Sequence, residues 1–348
     1  MQKKIYPSEI RNGPPWAKER IKPMENDITI NRNVEEGPNR DKIDEHSVLE
    51  YRDEVHAEIL AELELGDYGY KYRMLEGVVM PPYITPDRYR YSREIKTRPG
   101  DICYVSYPKS GSTWLAYIIV LITNQGEIPE GKTLRSCLHW VASSWTYPRS
   151  QSELDNLPSP RIFKSHMPYG MAVGGIPAEN PCRYIYIARN PKDVAVSYYY
   201  FERQQEWSGN YNGPWEHWLE MFLDGRVQRG DWFDHVLSWW ERRKSENILF
   251  LRYEDLRRDY ETELKNIAQF LGYPLEKDLL EKILEKTSFK AMSQAQFSNM
   301  HEIPGFEGFF RKGQIGSWKN QFTKSQEEKF DRHFKQRIQG TGLEFAFE

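Results

Sequence analysis

Apolar runs and amphipathic segments alternate along the chain from residue 101 onward. Short apolar runs predict strands over 101–107, 161–164, 182–188 and 247–253. A three-to-four residue period predicts helices over 113–123, 192–203 and 260–271. Pro191 is well placed as the first helical residue before the second of these. Strands that alternate with helices favour an α/β fold, a single P-loop-like domain whose central parallel sheet is flanked by helices.

The N-terminal part of the chain lacks this alternation. Apolar residues three or four apart predict an amphipathic helix with an acidic outer face over 41–64. We therefore predict an N-terminal extension over 1–66, acidic and partly helical, and the α/β domain over 67–348. The Pro-rich residues 77–86 indicate a connector ahead of the first long strand.

Charge follows the same division. The chain carries 48 Lys/Arg and 51 Asp/Glu, a net charge of -3. Residues 1–66 hold 10 basic and 15 acidic side chains (net -5), whereas residues 67–348 hold 38 and 36 (net +2). Without a global positive field, we expect no nucleic-acid and no membrane partner.

The sequence also bears on the cellular compartment. The first 20 residues have no apolar core, and the longest apolar run, 114–122, is less than half of the roughly 20 residues that a membrane helix needs. Cys103, Cys137 and Cys182 form no C-x-x-C pair, which predicts buried small side chains in a reducing compartment. We therefore expect a cytoplasmic protein.

One Gly-rich stretch matches the ATP-binding Walker loop in its letters but not in its context. Residues 126–133 follow a predicted helix, whereas a Walker loop connects a strand to a helix. Pro129 removes one backbone amide, and Glu127 and Glu130 would repel phosphate. We interpret this stretch as a surface loop.

A better phosphate loop follows the first predicted strand. Residues 107–114 read Tyr-Pro-Lys-Ser-Gly-Ser-Thr-Trp and lead directly into a helix. Gly111 permits a tight turn, and the amides of Ser112 and Thr113 lie at the positive end of the helix. Lys109 adds a cation. The loop is long enough for one phosphate and too short for a triphosphate with Mg²⁺.

Further cations indicate a second phosphate site. Arg189 ends a strand, and Ser197 lies two turns into the next helix. Residues 309–318 form a Gly-rich basic segment that contains Arg311 and Lys312. Two separate anion sites indicate a nucleotide with phosphates at both ends of its ribose. No metal-ligand spacing accompanies these residues, and we expect no metal.

Together these segments resemble the cytosolic sulfotransferases. Members of that family transfer a sulfuryl group from 3'-phosphoadenosine 5'-phosphosulfate (PAPS) to a hydroxyl or amine and release 3',5'-bisphosphoadenosine (PAP). The resemblance runs from about residue 77 to about residue 332 and is carried by 107–114, by Ala-Arg-Asn-Pro-Lys-Asp-Val-Ala-Val-Ser-Tyr-Tyr-Tyr at 188–200 and by Arg-Lys-Gly-Gln-Ile-Gly-Ser-Trp-Lys-Asn at 311–320. It implies PAPS as cosubstrate and a small lipophilic acceptor such as a phenol, steroid, catecholamine or retinoid.

The resemblance implies roles for individual residues on the donor side. The 5'-phosphosulfate loop would be Lys109, Ser110, Gly111, Ser112, Thr113 and Trp114. The 3'-phosphate site would be Arg189, Ser197, Arg311, Lys312 and Gly313. Adenine would stack between Trp114 and Phe289, with Tyr253 in contact with the base. Other implied nucleotide contacts are Thr287, Ser288, Phe309 and Phe310.

Residues 164–166, Lys-Ser-His, resemble the Lys-x-His of the family, whose histidine is the general base. The resemblance implies that His166 takes the proton of the acceptor, whose oxygen attacks sulfur in line with the departing phosphate. Lys109 would neutralise the bridging oxygen, and Lys164 would stabilise the equatorial sulfuryl oxygens. Ser197 would hold Lys109 away from the donor until the acceptor arrives.

The acceptor side and the dimer segment are less well defined. Phe201 matches an acceptor position of the family, and Trp140, Trp145 and Tyr169 are further acceptor-pocket candidates, with core packing as the alternative. Ser317 replaces the usual Asp, for which we expect a local change of hydrogen bonds. Lys324 replaces an apolar residue of the segment through which many members dimerise, so a monomer and a homodimer both stay open.

Other functions require sequence features that can be compared with this chain. A P-loop kinase needs a true Walker lysine, and Lys132 is misplaced. A Golgi carbohydrate sulfotransferase normally carries a signal anchor, which residues 1–20 do not resemble. Two alternatives stay open: a member resembling retinol dehydratase, whose sulfated product eliminates, and a non-catalytic protein that binds PAP or a similar nucleotide.

Overall fold

A computed structural model describes residues 63–143, 149–205, 208–298 and 313–348. Its strands are β1 (Glu64–Leu65), β2 (Lys71–Leu75), β3 (Val78–Met80), β4 (Ile102–Ser106), β5 (Ile162–Ser165), β6 (Arg183–Ala188) and β7 (Ile248–Arg252). Its α-helices are α1 (Pro86–Glu94), α2 (Ser112–Thr123), α3 (Gln151–Asp155), α4 (Pro191–Gln204), α5 (Trp215–Leu223), α6 (Trp232–Trp240), α7 (Tyr253–Arg258), α8 (Tyr260–Leu271), α9 (Lys277–Lys286), α10 (Phe289–Gln294) and α11 (Lys324–Ile338). Short 3-10 helices cover Asp67–Gly69, Arg135–Cys137, Tyr169–Met171, Pro177–Glu179 and Ser317–Asn320.

The central sheet has four parallel strands in the order β5-β4-β6-β7. Because side chains alternate along a strand, Cys103 and Val105 pack into the core on one face, whereas Ile102 and Tyr104 pack into the core on the other. Apolar side chains of α4, α5 and α6 fill the first core, and those of α2, α8 and α9 fill the second. The predicted α/β fold with a flanked parallel sheet is therefore confirmed.

A small antiparallel sheet, β1-β2-β3, precedes the central sheet. Leu75 pairs with Val78 across the two-residue turn of Glu76 and Gly77, which both have positive φ (49° and 78°). The expectation of a connector over 77–86 was therefore wrong at its start, which is β3. The predicted helix over 41–64 lies outside the described residues as far as 62, and Glu64 belongs to β1. The domain boundary at residue 66 stays a prediction.

The Walker-like stretch and the buried cysteines agree with the expectations from the sequence. The Walker-like stretch 126–133 follows the end of α2 at Thr123, and the Gly126 amide donates back to Leu121 O of that helix, so its interpretation as a loop after a helix is confirmed. Cys103 and Cys182 are buried, and Cys137 is partly buried. Among the described residues, no helix combines the length and the apolar character needed to cross a membrane.

The carboxyl ends of β4, β5 and β6 lie at the same edge of the sheet, as parallel pairing requires. Each strand end is followed by residues with predicted chemistry, namely Lys109, His166 and Arg189. Helix α4 begins at Pro191, as expected, and the side chain of Asn190 caps it by accepting from the Asp193 amide. Sheet topology thus brings the three segments together.

The opposite edge is fixed by a buried ion pair. Arg161 donates from Nε to Asp101 Oδ1 (2.9 Å) and from Nη2 to Asp101 Oδ2 (2.5 Å). The Arg98 amide also donates to this carboxylate (2.8 Å). Both members of the pair are buried. Nη1 of Arg161 also lies 3.3 Å from Oδ1 of Asp155, whose side chain is 55% exposed, so loss of Asp101 would leave the guanidinium with only a solvent-screened counterion.

We expect Asp101→Asn to lower the free energy of unfolding by up to about 3–5 kcal/mol, because the buried Arg161 guanidinium would keep only the exposed carboxylate of Asp155 as a counterion. The measurement is urea unfolding followed by tryptophan fluorescence. Asp87→Asn is the matched control, since Asp87 and its partner Arg90 are 66% and 60% exposed. That variant should cost less than about 1 kcal/mol. Equal effects of the two substitutions would contradict the assignment.

Candidate functional site

The loop between β4 and α2 has two residues in left-handed conformations. Lys109 has a φ of 68°, which is costly for a residue with a side chain, and Gly111 has a φ of 100°. A Cβ atom on Gly111 would lie 2.8 Å from Cδ2 of Tyr253. Gly111 is therefore needed both for its backbone conformation and for the close approach of the tyrosine ring.

Several polar atoms in and beside this loop make no hydrogen bond with the described residues. Gly111 is the N-cap of α2 and supplies no side-chain acceptor to the first amides of the helix. Ser110 Oγ and Arg189 Nε are buried and have no hydrogen-bond partner among the described residues. Because buried polar groups are almost always satisfied, these atoms and the uncapped helix end fit an anionic group such as a phosphate.

Arg189 joins the loop to the C-terminal part of the site. Its Nη1 donates to Lys109 O (3.3 Å), and its Nη2 donates to Gln314 O (2.9 Å). The guanidinium also lies over the ring of Tyr253, 4.6 Å from its centroid. The predicted donor-site residues Lys109, Arg189 and Tyr253 are thus brought together.

Asp193, which the sequence analysis did not identify, connects Arg189 to residues 316–318. Its buried carboxylate accepts from the amides of Gly316 (3.0 Å) and Trp318 (2.9 Å) and from Ser317 Oγ (2.9 Å). It also lies 3.5 Å from Nη2 of Arg189. A serine at 317 therefore donates a hydrogen bond to a carboxylate, which an aspartate there could not do when ionised.

Predicted adenine contacts lie beside this network. The rings of Trp114 and Tyr253 pack edge to face with centroids 5.7 Å apart, and Trp114 also contacts Tyr260 at 4.9 Å. A Cβ atom on Gly313 would lie 2.3 Å from the ring of Phe289, so Gly313 and Phe289 are in contact. Tyr260 was missed because one aromatic residue at a helix start has no distinctive pattern.

Thr287 and Ser288 make contacts within the protein. Thr287 Oγ1 donates to Ile283 O (2.6 Å) and is hydrogen-bonded to the Tyr260 hydroxyl. Ser288 Oγ caps α10 by accepting from the Ala291 amide. Their nucleotide contacts stay predictions. So do those of Phe309, Phe310, Arg311 and Lys312, which lie outside the described residues together with Trp145.

His166 is held in one tautomer. Its Nδ1 lies 2.8 Å from Ser106 O, and because a carbonyl only accepts, Nδ1 carries the proton and Nε2 keeps its lone pair. Burial, together with the charges of Lys164 and Arg229, holds the pKa of His166 well below its usual range. His166 is therefore a neutral imidazole at physiological pH, as a general base must be.

His235 supports His166 through the backbone. His235 Nε2 donates to His166 O (3.2 Å), while its Nδ1 accepts from the Tyr186 hydroxyl (2.9 Å). Burial lowers the pKa of His235 to about 3, so this ring stays neutral as well. The sequence analysis missed His235 because a lone histidine within an aromatic helix resembles ordinary core packing.

Lys164 and Trp140 lie beside His166. The Lys164 ammonium is 4.2 Å from the Trp140 ring centroid, and the Trp140 ring packs edge to face on that of His166 at 6.4 Å. Burial, with help from Arg135 and Arg229, lowers the pKa of Lys164 to about 7. An anion placed next to Lys164 would favour its charged form.

Lys109 and Phe201 also meet, because the Lys109 ammonium lies 4.2 Å from the Phe201 ring centroid. Ser197 is one turn earlier on the same helix, α4, and its contact with Lys109 stays a prediction. Tyr169, another acceptor-pocket candidate, packs edge to face on Trp239 with ring centroids 5.3 Å apart. The strand ends thus combine buried polar groups that fit an anion, a neutral imidazole and two lysines.

Comparison with known proteins identifies the family. A model of the sulfotransferase domain matches residues 99–342. Mouse sulfotransferase 1B1 is 40% identical over 73% of this chain and 87% of its own length, and human sulfotransferase 1C2 is 34% identical over 80% and 96%. Among solved structures, mouse sulfotransferase SULT7A1 complexed with PAP has a TM-score of 0.65 at 31% identity and covers 77% of this chain and 94% of that one.

A structure of retinol dehydratase in a complex with retinol and PAP has a TM-score of 0.68, with 84% of this chain and 96% of that chain covered. Its identity is 21%, so this likeness shows the fold alone. The resemblance found in the motifs is confirmed by the family model and by the curated relatives, and the chain belongs to the sulfotransferase family.

Proposed function

We propose that the protein transfers a sulfuryl group from PAPS to a hydroxyl or amine of a small lipophilic acceptor, with His166 as the general base. The observation that carries this proposal is the unprotonated Nε2 of His166, which Ser106 O fixes at the same sheet edge as the phosphate loop. The PAP in the mouse SULT7A1 structure supports the choice of donor.

Unsatisfied polar atoms support the binding of this donor. In the proposal, Lys109 and the amides at the start of α2 hold the 5'-phosphosulfate, where Gly111 offers no capping side chain. Arg189 holds the 3'-phosphate through Nε, which is buried without a partner. Ser197, Arg311, Lys312 and Gly313 complete that site, and Trp114, Tyr253 and Phe289 contact adenine.

PAPS supplies an activated sulfuryl group, and the protein supplies proton transfer and charge. His166 Nε2 accepts the proton of the acceptor hydroxyl as its oxygen bonds to sulfur and the bond between sulfur and the phosphate oxygen breaks. Lys109 places its ammonium near the oxygen that gains the electron pair, and Lys164 faces the equatorial sulfuryl oxygens. Phe201 and Trp140, which contact these lysines, border the acceptor.

We expect His166→Ala to lower kcat by at least about 10²–10⁴-fold, because no other group would take the acceptor proton. The measurement is transfer of labelled sulfate from PAPS to a panel of phenols, alcohols and amines. PAP affinity should be retained, since His166 does not hold the nucleotide. His217→Ala is the control, because His217 pairs with Asp67. Near-normal turnover of His166→Ala with intact PAP binding would contradict the role.

We expect PAPS to bind more weakly as pH rises. In the protein without a ligand, burial lowers the pKa of Lys164 to about 7. A sulfuryl group beside the ammonium would raise that pKa. PAPS binding therefore takes up a proton above pH 7, and calorimetry without acceptor should show affinity falling by up to about tenfold between pH 6 and pH 8.5. PAP, which lacks the sulfuryl group, is the control ligand.

Lys164→Arg tests the same idea, because arginine stays charged throughout this range. PAPS affinity of that variant should be nearly independent of pH. A pH dependence that persists in Lys164→Arg would show that another group titrates.

We expect PAP to stabilise the protein by about 2.7 kcal/mol at a hundredfold excess over its Kd, as seen in thermal unfolding. Arg189→Met should reduce this stabilisation, whereas Arg90→Met, at an exposed pair with Asp87, should not. Stabilisation by ATP with Mg²⁺ but not by PAP would instead support a kinase. PAP stabilisation without transfer to any acceptor would support the non-catalytic alternative.

A further inference from the structure

Arg229 is a buried cation that the proposed mechanism does not use. The residue is 2% exposed and lies between α5 and α6. Its Nη1 contacts the sulfur atoms of Met80 (3.6 Å) and Met167 (3.7 Å), and its Nη2 lies 3.5 Å from the Tyr83 hydroxyl. Thioethers are weak acceptors, so these contacts leave a buried charge poorly compensated.

No carboxylate within the described ranges lies in ion-pair distance of this guanidinium. Glu202 is the carboxyl group whose pKa Arg229 lowers, and it too is buried, with Oε2 accepting from the Gly209 amide (3.0 Å). Burial raises the pKa of Glu202 to about 8, and the charge of Arg229 only partly offsets this. Glu202 forms no ion pair with the guanidinium, and its burial disfavours its charged form, so it compensates Arg229 only weakly.

The backbone holds Arg229 in a fixed position. Arg229 has a φ of 74°, a conformation that costs energy for a residue with a side chain. Its amide donates to Val79 O (2.6 Å) in the small sheet, and Gly230 O accepts from the Tyr107 hydroxyl (2.9 Å). A strained backbone conformation persists only where surrounding contacts stabilise it, as these hydrogen bonds at Arg229 and Gly230 do.

Arg229 is adjacent to the proposed chemistry. Met167, one of its contacts, directly follows His166 in the chain. Tyr83, another contact, packs edge to face on Trp140 with centroids 5.4 Å apart, and Trp140 contacts both Lys164 and His166. The guanidinium thus belongs to the group of side chains that surrounds the proposed base, on the side of Trp140.

We infer that Arg229 binds a carboxylate of the acceptor, so that the enzyme prefers hydroxyl acceptors that carry a carboxylate over their neutral analogues. This inference rests on the proposed function. The planar guanidinium can donate two parallel hydrogen bonds to a carboxylate, and Met80, Met167 and Tyr83 keep water from that pair. The bound carboxylate also offsets part of the positive field around His166, which strengthens the base.

The test compares a hydroxyaryl alkanoic acid with its primary amide as acceptors of labelled sulfate from PAPS. For the unmodified protein, kcat/KM should be at least about tenfold higher for the acid, the usual effect of a charge-assisted hydrogen bond. Arg229→Met should abolish this preference, and Arg229→Lys should keep part of it. Arg226→Met is the matched control and should leave the ratio unchanged, because Arg226 is partly exposed and pairs with Asp224.

Binding separates this inference from the proposed function. Equilibrium dialysis measures the affinity of the acid for the PAP-saturated protein, which should fall at least about tenfold in Arg229→Met. Loss of that affinity supports the inference even when no transfer is seen, in which case the proposed function fails alone. Transfer to the amide with no preference for the acid, or an Arg229→Met variant that keeps the preference, overturns the inference and leaves the proposed function standing.

Two controls address folding. Circular dichroism and PAP affinity verify that each variant is folded. Arg229→Gln replaces Arg229→Met if the latter does not fold. The preference of the unmodified protein for the acid needs no variant, so its absence by itself overturns the inference.

Discussion

The buried carboxylate of Asp193 is the constraint on which the donor side of the site depends. It accepts hydrogen bonds from the Asn190 side chain, from two amides and from Ser317, and it pairs with Arg189. One negative charge therefore joins the start of α4 to residues 316–318 and orients the guanidinium that contacts Lys109 O and Gln314 O. Asp193 and the two carbonyls engage the terminal nitrogens of Arg189, so Nε stays available for the proposed 3'-phosphate. In this proposal, a buried carboxylate orients the cation that binds the anionic ligand.

The same electrostatics links the donor site to the base. The chain as a whole is slightly acidic, yet Lys164 and Arg229 both lower the pKa of His166. An anionic donor bound beside Lys164 would offset that field, as would a carboxylate on Arg229. In the proposed reaction, the imidazole of His166 would therefore be least basic before the substrates bind and would gain basicity as they bind, which would couple proton transfer to the presence of both.

Local patterns were enough to predict the central sheet. Each strand is an apolar run, and the helices that connect the strands have apolar residues three or four positions apart. The turn at Gly111 and the start of α4 at Pro191 were predictable for the same reason, since backbone conformation there depends on one residue type. The strand β3 was missed because it has three residues and is stabilised by pairing with β2. Asp193 was missed because three of its hydrogen-bond partners, Gly316, Ser317 and Trp318, lie more than 120 positions away in the chain.

The donor and acceptor sides differ in how closely sequence determines them. On the proposed donor side, the backbone amides at the start of α2 belong to the anion site, and Gly111 and Gly313 lie against aromatic rings that exclude a Cβ atom, so few substitutions preserve the geometry. On the proposed acceptor side, the groups around His166 are side chains such as Trp140 and Arg229, which can change while the backbone stays in place. Motifs therefore report the shared donor chemistry. Acceptor choice depends on burial and charge around single residues, which only the folded arrangement brings together.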